Sequence, residues 1–161
     1  SSGYEKVESL RQLEGLVQIY MPDYKYAEKS CAERYSSAPD YPEVAAAAIK
    51  EMFRQRGKFL LDDEGLLKSG VLIRHLILPG NESNSLNAVD FVADTFEDGD
   101  VLFSLMSQYT PMPSCTGKLS ERPSRRSCDS LVDYLASNGQ ENAFVQEYDS
   151  SGKDMIPDFL T

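Results

Sequence analysis

The chain has 161 residues, enough for one domain with a hydrophobic core, and carries 26 Asp+Glu against 16 Lys+Arg for a net charge of −10. That balance argues against nucleic acid as a partner, because phosphate backbones are held by stripes of Lys and Arg. No apolar run reaches the roughly 20 residues that span a bilayer and no signal peptide is visible, so no membrane partner is expected and a cytoplasmic setting is the default.

Taken in chain order, Tyr4–Leu13 shows helical spacing with Val7, Leu10 and Leu13 inward, stopped by Gly15. Leu16–Tyr26 reads as a first strand. Asp40-Tyr41-Pro42-Glu43 reads as a capping box with proline in the first turn. It opens a helix with Val44, Ala45, Ala48, Ile49, Met52 and Phe53 on one face, ended by Gly57. Asp62–Gly65 is a turn inside Leu60–Ser69, read as a surface excursion rather than a hairpin; its acidic residues lack calcium-loop spacing. Val71–Leu78 is a nearly continuous apolar run, the mark of a strand buried on both faces, and Pro79-Gly80 ends it. Asn84 or Ser85 is expected to cap a helix with Leu86, Val89, Val92 and Phe96 inward. Val101–Tyr109 is a third strand. Thr110–Arg126 is a proline-punctuated loop whose Arg122, Arg125 and Arg126 are solvated charges. Cys128–Ser137 is a helix ended by Gly139, and Ala143–Tyr148 is one more strand.

Strands alternating with helices predict an α/β fold, a parallel sheet of βα units in a single domain over 1–161, with its chemistry at the carboxyl ends of the strands. Side-chain parity then selects candidates, since residues two apart in a strand share a face. Asp23 and Lys25 share one with Ile19 and Met21, opposite Tyr20, Tyr24 and Tyr26. Arg74 shares one with Leu72, Leu76 and Leu78, opposite His75; Ser104 and Gln108 share one with Met106. Asp23, Lys25, Arg74, Ser104 and Gln108 are therefore expected on one surface. Two cations, an anion and neutral hydrogen-bonding groups suit a zwitterionic or anionic small molecule. The bland alternative is an Asp–Lys or Asp–Arg ion pair that only holds the strands in register. His75 is expected to be a satisfied core residue.

Several chemistries lack support. Cys31, Cys115 and Cys128 are too scattered for a disulfide framework or a tight metal-binding pair, and His75 is the sole histidine, so no metal is expected on these residues alone. No catalytic triad, G-x-G-x-x-G or P-loop motif occurs.

The segments IYMPDYKYAEKSCAERYSSAPDYPEVAAAAIKEM, IRHLILPGNESNS and SLMSQYTP, in that order, resemble the later part of radical S-adenosylmethionine proteins related to pyruvate formate-lyase-activating enzyme. The likeness runs from Gly3 to about Phe159. It implies part of a (β/α)6 partial barrel, in which a 4Fe–4S cluster on a C-x-x-x-C-x-x-C loop reductively cleaves S-adenosylmethionine to a deoxyadenosyl radical. This chain has no such loop, so the resemblance implies that the loop and about three βα units lie upstream of Ser1, and that the chain alone is inactive. The family's D-x-K pair matches Asp23 and Lys25, and its arginine on the next strand matches Arg74. Its polar residues at the last strand's end fall near Gln108 and Tyr109, where a histidine common in the family is missing. By that match Asp23 and Lys25 would contact the cofactor's polar groups and Arg74 a carboxylate or ribose. Ser104 and Gln108 would face the methionyl end or the substrate, and the partner would be a glycyl radical enzyme or another protein substrate. Two other readings stand beside it. Asp23-x-Lys25-x-x-Glu28 approaches the D-x-K-x-x-D motif of barrel decarboxylases, with Glu for the last Asp; and the chain could be a non-catalytic binding fragment with exposed strand edges.

Overall fold

A computed structural model describes residues 1–139 and 143–145. Its elements run α1 (Val7–Arg11), β1 (Ile19–Tyr20), α2 (Lys29–Ser36), α3 (Tyr41–Arg56), β2 (Leu60–Leu61), β3 (Leu67–Leu76), α4 (Glu82–Thr95), β4 (Leu102–Met106), α5 (Arg125–Ser137) and β5 (Ala143–Val145), with a 3-10 turn at Gly117–Ser120. β1, β3, β4 and β5 pair in that order, all parallel, and β2 adds to β3 antiparallel. The α/β class and the parallel sheet of βα units are thus present. Of the strand expected at Ala143–Tyr148, residues 146–148 lie outside the described ones.

Right-handed crossovers between consecutive parallel strands place their helices on one face of the sheet. Burial follows that geometry: Val71, Ile73, His75 and Ile77 are buried, whereas Leu72, Arg74, Leu76 and Leu78 are only half-buried. The expectation that Val71–Leu78 is covered on both faces is corrected accordingly. In β4 and just past it, Phe103, Leu105 and Ser107 are buried while Ser104, Met106 and Gln108 are half-buried. The core lies between the covered face and α3 and α4, with Ala45, Ala48, Ile49 and Met52 from α3 and Ala88, Val89 and Val92 from α4.

Several local expectations change. The first strand is much shorter than Leu16–Tyr26, because Pro22 has no N–H to give the ladder and Leu16 is exposed. Pairing nonetheless resumes after the proline in the same register: Asp23 bridges Arg74, whose N–H donates to Pro22 O at 2.9 Å while Tyr24 N–H donates to Arg74 O at 2.8 Å. The first helix is confined to Val7–Arg11; Leu10 is buried but Leu13 is 40% exposed. Asp40 forms no capping box. It sits in helical conformation and its Oδ1 accepts from Tyr4 Oη at 2.7 Å instead. Leu60–Ser69 is a hairpin after all, since Asp62 Oδ1 accepts from the N–H groups of Glu64 and Leu66 and closes a turn that lets β2 pair with β3. Asn81 precedes α4, so Asn84 and Ser85 fall inside its first turn rather than capping it. α2 had no counterpart in the sequence reading.

Candidate active site at the carboxyl ends of β1 and β3

The in-register bridge past Pro22 brings Asp23 and Arg74 side by side. Arg74 donates from Nε to Asp23 Oδ1 at 2.9 Å, and its Nη2 lies 2.7 Å from the same oxygen as an ion pair. Both side chains are partly exposed, so the pair is worth little as a bare salt bridge. Asp23 Oδ2 and Arg74 Nη1 make no further hydrogen bond among the described residues. Lys25, on the same side of the strand, is exposed, and its ammonium has no carboxylate within salt-bridge distance among the described residues. These three side chains line a cavity of about 250 Å³ whose remaining wall is Tyr26, Leu76, Leu78 and Met106. Three of the five expected site residues therefore meet there. Ser104 lies beside Arg74 in the β3–β4 register and Gln108 stands two residues beyond β4; neither lines the cavity. Of the two ion pairs weighed from sequence, the Asp–Arg pair forms.

The backbone that presents Asp23 and Lys25 is not in regular strand, so buried side chains must hold it. Tyr41, at the start of α3, accepts from Lys25 N–H at 3.0 Å, and its one O–H faces two carbonyl acceptors, Asp23 O at 2.6 Å and Ser2 O at 2.8 Å. Asn84 is fully buried. Its Oδ1 accepts from Ala27 N–H (2.9 Å) and Glu28 N–H (3.1 Å) while its Nδ2 donates to Lys25 O (3.1 Å). His75, also fully buried, reaches Tyr24 O from Nδ1 at 2.6 Å and Ser85 Oγ from Nε2 at 2.9 Å. A carbonyl can only accept, so Nδ1 carries the proton and Ser85 donates to Nε2. Burial holds the imidazole neutral, with its pKa pushed down to about 4. Desolvation raises the Tyr41 phenol far above its ordinary value, so it stays protonated.

Tyr41 and Asn84 were missed as positioning residues in the sequence reading, which treated Asn84 as a cap and Tyr41 as part of a capping box. Only the backbone at 25–28, which leaves the ladder after Tyr24, betrays the need for them, and that is visible in three dimensions alone. Removing the Tyr41 hydroxyl should therefore matter: Tyr41→Phe is expected to cost about 1–3 kcal/mol, the scale of orphaning a buried backbone N–H. Urea unfolding would measure it, and a change under a few tenths of a kcal/mol would mean that water replaces the hydroxyl.

No family model matches the chain. Over 112 residues it is 29% identical to an uncharacterized protein of Methanocaldococcus jannaschii, a match that covers 69% of this chain and 28% of that protein. The likeness is to a segment of a much longer protein. Among the described residues no helix is long and apolar enough to cross a membrane, and no group of three or more His, Cys, Asp or Glu could hold a metal ion. Glu28, which completes the decarboxylase-like spacing, does not line the cavity; it accepts from Asn87 Nδ2 at 3.0 Å and lies 3.6 Å from Cys31 Sγ.

Proposed function

We propose that this chain is part of a radical S-adenosylmethionine enzyme of the pyruvate formate-lyase-activating type, and that Asp23, Lys25 and Arg74 hold the cofactor's methionyl end. One observation carries the reading: a carboxylate oxygen, a guanidinium nitrogen and an ammonium group stand without further partners among the described residues around one cavity, at the ends of adjacent parallel strands. An amino-acid zwitterion needs the reverse set, a carboxylate for the two cations and an ammonium for Asp23. At about 250 Å³ the cavity suits one end of a nucleoside–amino acid conjugate rather than the whole.

The strand order supports the same reading. A sheet wound in one direction, with helices on one face and a half-buried opposite face that mixes Leu and Met with Arg74, Ser104 and Gln108, is consistent with a segment of a (β/α) barrel. Asp23 N–H also donates to Ser1 O at 2.9 Å, a pairing suited to the end of a further strand beside β1. With S-adenosylmethionine and a reduced cluster both bound, the site would be supplied with radical chemistry. The described residues do not fit the cluster itself, so its ligands would come from elsewhere in the protein. The residues here bind and orient: Lys25 and Arg74 fix a carboxylate, Asp23 an ammonium, and Leu76, Leu78 and Met106 exclude water along the apolar side. A glycyl radical enzyme is the partner class that goes with this reading.

Iron and sulfide analysis with an ultraviolet–visible spectrum of the gene's intact product, purified without oxygen, tests it. About four irons per chain with sulfide-to-iron charge-transfer bands are expected. An iron-free protein after reconstitution would overturn the reading.

A further inference from the structure

A second cavity, of about 430 Å³, opens beyond the ends of β3 and β4, lined by Arg34 and Tyr35 from α2, Gly80 after β3, and the loop from Ser114 to Leu119. It adjoins the first: Tyr26 lines one and Tyr35 the other, with their ring centroids 6.4 Å apart. We propose that this second cavity binds the oxyanion group, phosphate or carboxylate, of a small molecule.

Charge carries the argument. In a chain of net charge −10, this wall contains Arg34 and Lys118 and, among the described residues, no Asp or Glu. Arg34 has no carboxylate within salt-bridge distance among the described residues; its guanidinium lies 5.6 Å above the Tyr35 ring, which leaves its hydrogen-bonding edge available. Lys118 reaches Glu121 only at 3.8 Å, between two exposed side chains, so a bound oxyanion meets weak competition. Hydroxyls of Ser114 and Thr116 add neutral donors, while that of Tyr35 donates to Asn81 Oδ1 at 3.2 Å.

The loop is also fastened in place. Tyr109, just past β4, donates to Leu119 O at 2.7 Å, and the Cys115 N–H donates to Met112 O at 2.9 Å. The Lys118 stem lies directly over Gly80, so close that a Cβ there would stand 2.8 Å from Lys118 Cγ. Gly80, at φ +69°, thus does more than end β3; its missing side chain makes the space through which Lys118 enters the cavity wall.

Calorimetric titration of the intact gene product with inorganic pyrophosphate, and separately with malonate, tests the site at low ionic strength. Saturable binding of at least one probe is expected, weakened tenfold or more in the Arg34→Gln, Lys118→Gln double variant. Both side chains are largely exposed, so the variant should keep its melting temperature. The Lys25→Met variant should bind the probe as the wild type does. The stronger probe distinguishes a phosphate from a carboxylate ligand. No saturable heat with either probe, undiminished binding in the double variant, or loss confined to Lys25→Met would each overturn the proposal. The iron analysis described above fails or succeeds independently of these outcomes.

Discussion

Asn84→Ala should be among the most damaging single substitutions in this protein, with an expected loss of about 3–4 kcal/mol of stability. The side chain is fully buried and serves three backbone groups, the N–H of Ala27, the N–H of Glu28 and the C=O of Lys25. Each orphaned group costs about 1–3 kcal/mol, reduced where the loosened backbone finds water. For a chain of this size the melting temperature should fall by roughly 6–15 °C. The effect also reaches function, because the same three bonds hold the segment that presents Lys25. Ligand affinity at the first cavity should fall even though Asn84 does not line it. Thermal and urea unfolding measure the first part; a melting temperature within about a degree of wild type would show that this segment needs no such anchor.

Acid should destabilise the protein through His75, by about 2–3 kcal/mol between pH 7.5 and 4.5. Folding lowers the imidazole's pKa from 6.5 to about 4, so the folded state resists the proton that the unfolded chain accepts. Its stability contribution is fully present above pH 6.5 and drains away as pH falls toward 4, at about 1.4 kcal/mol per pH unit. Carboxylates titrate in the same range, so the variant His75→Leu is the control. It should be weaker than wild type at pH 7.5, since Tyr24 O and the Ser85 hydroxyl lose their partner, yet lose less on acidification. Parallel pH profiles for the two proteins would mean that His75 is not held neutral.

The general architecture was legible because hydrophobic periodicity reports burial directly. The helix at 41–56, the strands around residues 71–78 and 101–109, and the alternation that separates His75 from Arg74 all follow from which side chains must leave water. The errors cluster where a polar side chain had two possible employers. Asp40, Asn84 and Ser85 each have the chemistry of a helix cap. Asp40 instead accepts from Tyr4, Asn84 holds the 25–28 backbone and Ser85 holds His75. Those partners lie 36, 57 and 10 residues away in sequence, beyond the reach of any local rule. The extent of the first strand was misread for a different reason: an apolar run marks burial, but Pro22 decides whether the ladder is continuous. Parity placed Asp23, Lys25 and Arg74 on one surface, and all three line the first cavity. Parity also placed Ser104 and Gln108 on the correct face, but it says nothing about distance along the sheet to the cavity.

Among the described residues Arg74 alone pairs with Asp23, which leaves Lys25 for a ligand. The deciding measurement is S-adenosylmethionine binding by calorimetry to the intact gene product and to its Lys25→Met variant. Lys25 has no carboxylate to abandon among the described residues, so the substitution should leave the melting temperature unchanged. Affinity should drop about 10- to 150-fold, the loss of one charged hydrogen bond of about 1.5–3 kcal/mol. Wild-type affinity in the Lys25→Met protein, or no binding to either protein, would contradict the account.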